Sequence, residues 1–107
     1  MLSDDLKYQL LQQLEKEPET SQRALAKSLG ISLGKTNYCL RAVVEKGWVK
    51  ARNFKNSQRK AAYIYMLTPK GVAAKSRITR RFLDRKLREY EQLEREIAQL
   101  RREVQTR

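Results

Sequence analysis

The stretch SQRALAKSLGISLGKTNYCLRAVVEKG, residues 21–47, predicts two short helices joined by a tight turn. Ser21 is a good N-cap for the first helix, and Gly30 can supply the left-handed residue that follows it. The second helix is expected to begin near Ser32 and to end at Gly47. Two helices connected by a three- or four-residue turn that contains glycine form a recognised unit, the helix-turn-helix. This unit decides the expected fold.

The second of these helices, at 32–46, has two different sides. At 100° per residue, an inward stripe centred on Thr36 is formed by Leu33, Cys39, Leu40 and Val43. A polar face carries Ser32, Gly34, Asn37, Tyr38, Arg41 and Glu45. Arginine and asparagine are the side chains that bind guanine and adenine bidentately in the major groove. Although a lone polar helix face is usually only solvated, in this setting we interpret it as a surface that reads double-stranded DNA.

The composition changes after Gly47. Residues 48–54 and 61–68 are rich in aromatic and β-branched residues, which predicts two strands of a hairpin. The polar loop 55–60 between them is expected to form a wing whose basic tip contacts the minor groove. The alternative is an exposed hairpin with basic residues for solubility. The predicted contacts in the wing and its flanks are Ser21, Gln22, Arg23, Lys55, Asn56, Ser57, Gln58, Arg59 and Lys60.

Two further helices are expected outside this unit. Residues 3–16 have helical apolar spacing with Ser3 as the N-cap, whereas 15–20 is interpreted as a connector. Thr68 and Pro69 begin a last helix that continues almost to residue 107. The expected fold is mainly α with a small β-hairpin wing. Residues 1–71 would form a winged helix-turn-helix DNA-binding domain, and 72–107 a long helix for dimerisation.

The last helix carries an apolar seam that nothing else in the sequence is expected to cover. Its apolar residues recur at spacings of 3, 4, 3 and 4, which is the heptad pattern of a coiled coil. We interpret the seam as a coiled-coil-like homodimer contact, with the parallel and antiparallel arrangements both open. The predicted interface residues are Leu83, Leu87, Tyr90, Leu93, Ile97, Leu100 and Val104.

The charge distribution favours a polyanionic partner. The formal net charge is +12, from 24 basic and 12 acidic residues. Residues 21–60 hold 10 basic groups against 1 acidic group, and residues 61–88 hold 8 against 1. Double-stranded DNA is therefore the leading partner and acidic membranes are second. For 75–88, phosphate contact, a long-range field and simple solvation are equally compatible with the sequence.

Several classes of function are not supported by the sequence. It has no histidine and one cysteine, Cys39, so a Cys/His zinc site and an internal disulfide are excluded. No catalytic constellation is present, so we expect a protein that is not an enzyme and has no cofactor or metal. Cys39 is expected to be a buried thiol, and its redox activity is left open. The first residues are acidic where a signal peptide is basic, and no apolar run could span a membrane, which favours the cytoplasm.

The strings GISLGKTNYCLRA (30–42), EKGWVK (45–50), NFKNS (53–57) and YIYMLTPKG (63–71) resemble MarR-type bacterial transcriptional regulators. The first three strings are similar to the exopolysaccharide (EPS)-associated subgroup of that family. The resemblance implies a dimeric DNA-binding regulator, usually a repressor, connected with polysaccharide-biosynthesis loci. Arg59 and Ala61 stand where the wing of the broader family has Asp and Arg. By position, the base-facing residues of the family correspond to Ser32, Leu33, Gly34, Asn37, Tyr38 and Arg41. Lys35 is a further predicted DNA-binding residue of the same helix.

Two other functions are compatible with the same sequence. One is an architectural protein that binds DNA with little sequence preference through its basic segments. The other is an adaptor that uses 72–107 to pair with a different protein. The sequence leaves open the operator, the regulated genes, the direction of regulation and any small-molecule effector.

Overall fold

The computed structural model describes residues 2–53 and 62–106. Over these residues the chain forms four helices and a small antiparallel sheet. The helices are α1 (Asp4–Lys16), α2 (Gln22–Leu29), α3 (Leu33–Glu45) and α4 (Pro69–Gln105), and the strands are β1 (Glu19–Ser21), β2 (Val49–Asn53) and β3 (Ala62–Leu67). The predicted winged helix-turn-helix with a long last helix is confirmed. None of the described helices is long and apolar enough to cross a lipid bilayer.

The helices begin where the sequence predicts, because each start carries a hydroxyl side chain that caps it. The N-caps are Ser3, Ser21, Ser32 and Thr68, and each accepts a hydrogen bond from a backbone N–H three residues later at 3.0–3.1 Å. Gly30, with φ of 68°, ends α2 in the left-handed conformation. The helix-turn-helix is therefore set by local chemistry at its ends.

The sheet has one strand more than the predicted hairpin. β3 lies in the centre, with β1 and β2 antiparallel on either side. The segment 15–20 was expected to be only a connector, but the Pro18 carbonyl accepts a hydrogen bond from the Tyr65 N–H at 2.8 Å and Thr20 faces inward. This pairing joins residues more than 40 positions apart. A three-residue strand of Glu, Thr and Ser has no apolar alternation that could predict it.

One core joins all four helices to the sheet. It consists of Leu10, Leu11, Leu14, Leu25, Cys39, Leu40, Val43, Trp48, Val49, Tyr65, Ala74 and Ile78. The inward stripe of α3 is confirmed at Thr36, Cys39, Leu40 and Val43. Leu33, however, is 43% exposed, so its expected place on that stripe is wrong. It is the first residue of α3, one turn before Thr36, and lies at the open end of the contact between α2 and α3.

The start of α4 lies directly against the end of the helix-turn-helix. The Trp48 carbonyl accepts a hydrogen bond from the Thr68 N–H at 2.9 Å, and the Thr68 hydroxyl donates to the Gly47 carbonyl. A Cβ atom on Gly71 would lie 1.9 Å from the Trp48 carbonyl oxygen. The backbones therefore approach so closely that only glycine fits at position 71.

α1 packs along the first half of α4. The aromatic rings of Tyr8 and Phe82 stack with their centroids 4.8 Å apart. Three ion pairs follow the same contact: Asp4 with Arg81 at 2.9 Å, Asp5 with Arg85, and Glu15 with Lys75. From position 86 onward, every described residue of α4 is exposed. About 30 Å of helix, at 1.5 Å per residue, therefore extends beyond the domain.

We expect Gly71→Ala to destabilise the fold by about 1–3 kcal/mol or more, because the new methyl group would overlap a backbone carbonyl that cannot move without displacing α4. Urea denaturation followed by circular dichroism measures this loss. An unchanged midpoint would show that the Trp48 backbone has room to shift.

The stability should also depend on pH through Asp4. The hydrogen bond from Arg81 lowers the pKa of the Asp4 carboxyl below its usual value of 3.8 and outweighs the opposite effect of partial burial. Because the folded-state pKa is the lower one, the stabilisation is complete above about pH 4 and is lost as the pH falls through the folded-state value.

Asp4→Asn should therefore lower the urea midpoint at neutral pH, and the difference from the parent protein should shrink as the pH approaches about 2. Glu91→Gln, on the exposed part of α4, is the matched control and should have little effect. A difference that stays constant over the whole range would show that the charge of Asp4 is not responsible.

Candidate nucleic-acid interface

The polar face of α3 is held outward by the burial of its opposite side. Thr36 and Cys39 lie in the core, and the Thr36 hydroxyl donates to the Ser32 carbonyl at 2.8 Å. Tyr38 is 57% exposed, and Lys35 and Arg41 are also exposed. The structure thus places the predicted basic and aromatic side chains on one accessible surface.

Asn37 is held by a contact that the sequence did not predict. Its side-chain Nδ2 donates to the Gln22 Oε1 at 3.2 Å, an amide orientation assigned from this bond, and the residue is half-buried. Gln22 is the first residue of α2, so the bond crosses the helix-turn-helix. It uses one of the two N–H groups of the Asn37 carboxamide. The bond restricts the rotamer of Asn37 at the centre of the polar face.

Gly34 has no role in the packing of the described chain. Its φ is not positive, and a Cβ atom placed on it would meet no described neighbour within 4 Å. Glycine inside a helix costs about 0.5–1 kcal/mol relative to alanine. The fold therefore gives no reason for glycine at this position, whereas a close approach by another molecule would.

The start of α2 adjoins the start of α3. One groove between them is lined by Ser21, Gln22, Arg23, Leu33 and Tyr63. A second groove runs along α3 and is lined by Asn37, Tyr38, Arg41, Ala42 and Glu45. The structure therefore brings the predicted flanking residues of α2 next to the predicted face of α3. Tyr63 of the central strand β3 also borders this surface.

The basic residues of α4 do not all face the same partner. Lys75, Arg81 and Arg85 belong to the basic segment 61–88, but each pairs with a carboxylate of α1. Arg23, Lys27, Lys35 and Arg41 of the helix-turn-helix are exposed. Lys70, Arg77, Arg80 and Arg88 of α4 are exposed as well, so the accessible positive charge lies on α2, α3 and α4.

Other predicted positions fall elsewhere. The wing-tip residues Lys55, Asn56, Ser57, Gln58, Arg59 and Lys60 lie outside the described residues. The seam residues Leu83, Leu87, Tyr90, Leu93, Ile97, Leu100 and Val104 lie on α4 and are 41–76% exposed. The contact of the wing tip with DNA and the dimer contact of the seam therefore stay predictions. The described parts of the chain bring together no cluster of three potential metal ligands.

Two buried side chains beneath the polar face, Cys39 and Tyr65, have raised pKa values and stay protonated at neutral pH. Cys39 is 1% exposed, and burial raises the pKa of its thiol. Since the thiolate is the reactive form, a buried thiol with a raised pKa is a poor nucleophile at neutral pH. Burial also raises the pKa of Tyr65 to about 12, so its hydroxyl stays protonated. These groups support the face and do not form part of it.

Comparison with known proteins agrees with this geometry. Residues 3–50 match the family model described as winged helix-turn-helix DNA-binding. Curated proteins gave no significant match. The folded chain is similar to the PcaV transcriptional regulator from Streptomyces coelicolor, with 19% identity and a TM-score of 0.63 over 73% of this chain and 56% of that one.

Two similar structures contain DNA. The transcriptional repressor CouR bound to a 23-mer DNA duplex is 25% identical, with a TM-score of 0.61 over 75% of this chain and 54% of CouR. A MarR mutant from E. coli complexed with operator DNA is 24% identical, with a TM-score of 0.58 over 69% of this chain and 51% of that one. MarR-family regulators are thus among the structural neighbours, and the chain spans about half the length of these solved proteins.

Gly34→Ala should raise the free energy of unfolding by about 0.5–1 kcal/mol, because alanine favours the helix and its methyl group has free space. Thermal or urea denaturation measures this gain. Gly71→Ala is the comparison variant in the same protein. Both variants replace a helical glycine by alanine, and their changes in the free energy of unfolding should have opposite signs. A loss of stability at position 34 would show that the chain itself needs the glycine.

Proposed function

We propose that this protein is a sequence-specific transcriptional regulator of MarR type that inserts α3 into the major groove of double-stranded DNA. The observation that carries the proposal is Gly34, a helical glycine with no packing neighbour among the described residues, on the same polar face as Asn37 and Arg41. A glycine there allows the helix backbone to approach bases or phosphates closely. The similarity to regulators solved with DNA supports DNA binding through this domain.

Base readout would come from the middle of the face. Arg41 can donate two hydrogen bonds to guanine, and Asn37 can pair bidentately with adenine. The Gln22–Asn37 hydrogen bond holds the amide before DNA arrives, which reduces the entropy lost on binding. Leu33, exposed at the start of α3, supplies an apolar surface for a thymine methyl group.

Phosphate contacts would surround these bases. Lys35, Tyr38 and Arg23 are exposed around the face, and the hydroxyls of Ser21 and Ser32 cap the two helix starts that point toward it. Such contacts fix the register of a protein on DNA without specifying sequence. We assign the wing tip, residues 55–60, to the minor groove next to the half-site.

The regulator would act as a homodimer. Residues 72–107 would provide the contact through the exposed apolar stripe of α4, and residues 1–71 the DNA-binding domain. We further propose that it represses transcription by covering a promoter and that it controls exopolysaccharide genes; both proposals rest on the resemblance of its α3 sequence to MarR-type regulators of that subgroup. The protein would work in the cytoplasm, and we propose a binding function without enzymatic activity.

The first test uses purified full-length protein at about 0.15 M salt. A library of random duplexes is enriched over several rounds of binding, and the region upstream of the protein's own gene serves as the directed probe. Enrichment of one motif that resists excess shuffled duplex would support sequence-specific regulation. Binding without enrichment would favour an architectural role, and a lack of DNA binding would refute the proposal.

Arg41→Ala should weaken binding to the enriched motif by about 1–3 kcal/mol and change binding to random DNA much less. Arg95→Ala is the matched control, because it removes the same charge from the exposed outer side of α4. Fluorescence anisotropy with both duplexes gives the four values needed. Equal losses on the two duplexes would reduce Arg41 to a phosphate contact.

A further inference from the structure

We infer that the exposed half of α4 pairs with a second copy of this chain in a parallel, in-register coiled coil, so that both DNA-binding domains lie at the same end. This inference rests on the homodimer of the proposed function and adds its geometry. It concerns residues 89–105, which we call the coil segment.

The coil segment has an apolar stripe that α1 does not reach. The last ion pair between α1 and α4 is formed by Asp5 and Arg85, and the described residues beyond it are exposed. The stripe comprises Tyr90, Leu93, Ile97, Leu100 and Val104, each at least 41% exposed. The continuous helix, from Pro69 to Gln105, presents this stripe beyond the domain. A second coil segment has the matching length and the matching stripe.

The types of residue in the stripe favour a parallel pair of helices. In heptad terms Tyr90, Ile97 and Val104 occupy position a, and Leu93 and Leu100 occupy position d. β-branched residues at a with leucine at d are the combination that favours two parallel strands. Four of the five stripe positions fit this rule, and Tyr90 is the exception at the end nearer the domain.

The flanking charges act against the full-overlap antiparallel arrangement. Position g carries Glu89, Glu96 and Glu103, and position e carries Glu94 and Arg101. Antiparallel helices bring g against g, so the register that overlaps the stripes most completely faces glutamate with glutamate. Parallel helices bring g against e, which pairs Glu96 with the partner's Arg101 and sets only Glu89 against the partner's Glu94.

A shifted antiparallel register gains one kind of attractive pair and keeps four apolar layers, as the first antiparallel register does. Glu94 would then meet the partner's Arg101, but Leu93 would lie opposite the partner's Val104 and Tyr90 would lose its layer. The parallel register gives the same number of attractive pairs and keeps all five apolar layers. The parallel pair therefore buries more apolar surface than the shifted antiparallel pair, which favours the parallel arrangement.

The parallel pair has a direct consequence for DNA recognition. Its two-fold axis runs along the coil, so two copies of α3 are presented on the same side and related by that axis. Such a dimer fits two half-sites arranged as an inverted repeat. An antiparallel pair would instead place the two domains at opposite ends of the coil.

Disulfide trapping in the full-length protein tests the orientation. Val104→Cys places a thiol at an exposed a position, and the buried Cys39 of the parent chain serves as the background control. Under mild oxidation, the parallel dimer should convert Val104→Cys almost completely to a covalent dimer. A mixture of Leu93→Cys and Val104→Cys chains should give like-with-like dimers and few mixed ones.

A second variant changes the affinity of the dimer with opposite sign in the two arrangements. Glu94→Lys should turn two repulsive contacts of the parallel pair into attractive ones and tighten the dimer about tenfold. The same change sets lysine against the partner's Arg101 in the shifted antiparallel register and should weaken it. Glu91→Lys, at an outward position, is the control with an equal change of charge. Sedimentation equilibrium measures all three dissociation constants.

Predominantly mixed cross-links, or a weaker dimer with Glu94→Lys, would overturn the parallel arrangement. A monomeric mass at the concentrations used for DNA binding would overturn the coil itself. All three results are independent of the DNA assay. A monomer or an antiparallel dimer that still selects a DNA motif would refute this inference and leave sequence-specific binding in place.

Discussion

The close approach of Gly71 to the Trp48 carbonyl is the constraint on which the rest of the architecture depends. The same carbonyl accepts the Thr68 N–H, so the end of the helix-turn-helix, the base of the sheet and the start of α4 meet at one point. With α4 anchored there, Ala74 and Ile78 enter the core and α1 packs along the next turns. The direction of α4 relative to α3 is therefore fixed by a few backbone atoms.

Gly34 and Gly71 both lie in helices, but they lead to opposite conclusions about why glycine is present. The neighbouring residues in the sequence do not predict this difference. Gly71 is explained completely by a neighbour inside the chain, whereas Gly34 meets none among the described residues. A residue that breaks a local preference without any internal compensation marks a place where an external requirement acts.

The sequence was sufficient for features that depend on near neighbours. The four N-caps, the left-handed Gly30 and the buried stripe of α3 from Thr36 onward follow from spacings within one or two turns. The third strand, the Gln22–Asn37 bond and the ion pairs between α1 and α4 did not, because each joins distant positions whose partners are defined only after folding. Leu33 was misplaced because a helical wheel gives direction but not where the covering helix ends. For the interface, the wheel predicted the face, and the structure added the contact that orients Asn37.

The acidic first helix has a consequence for how the protein meets a polyanion. Asp4, Asp5 and Glu15 already neutralise three cations of α4, so these cations act as if their counterions were built into the chain. Counterion release on DNA binding counts only the phosphates that are newly neutralised. Lys75, Arg81 and Arg85 should thus contribute less to the salt dependence of the proposed DNA binding than exposed cations such as Arg23 and Arg41 do. α1 thus lowers the number of cations on α4 that remain available to an added polyanion.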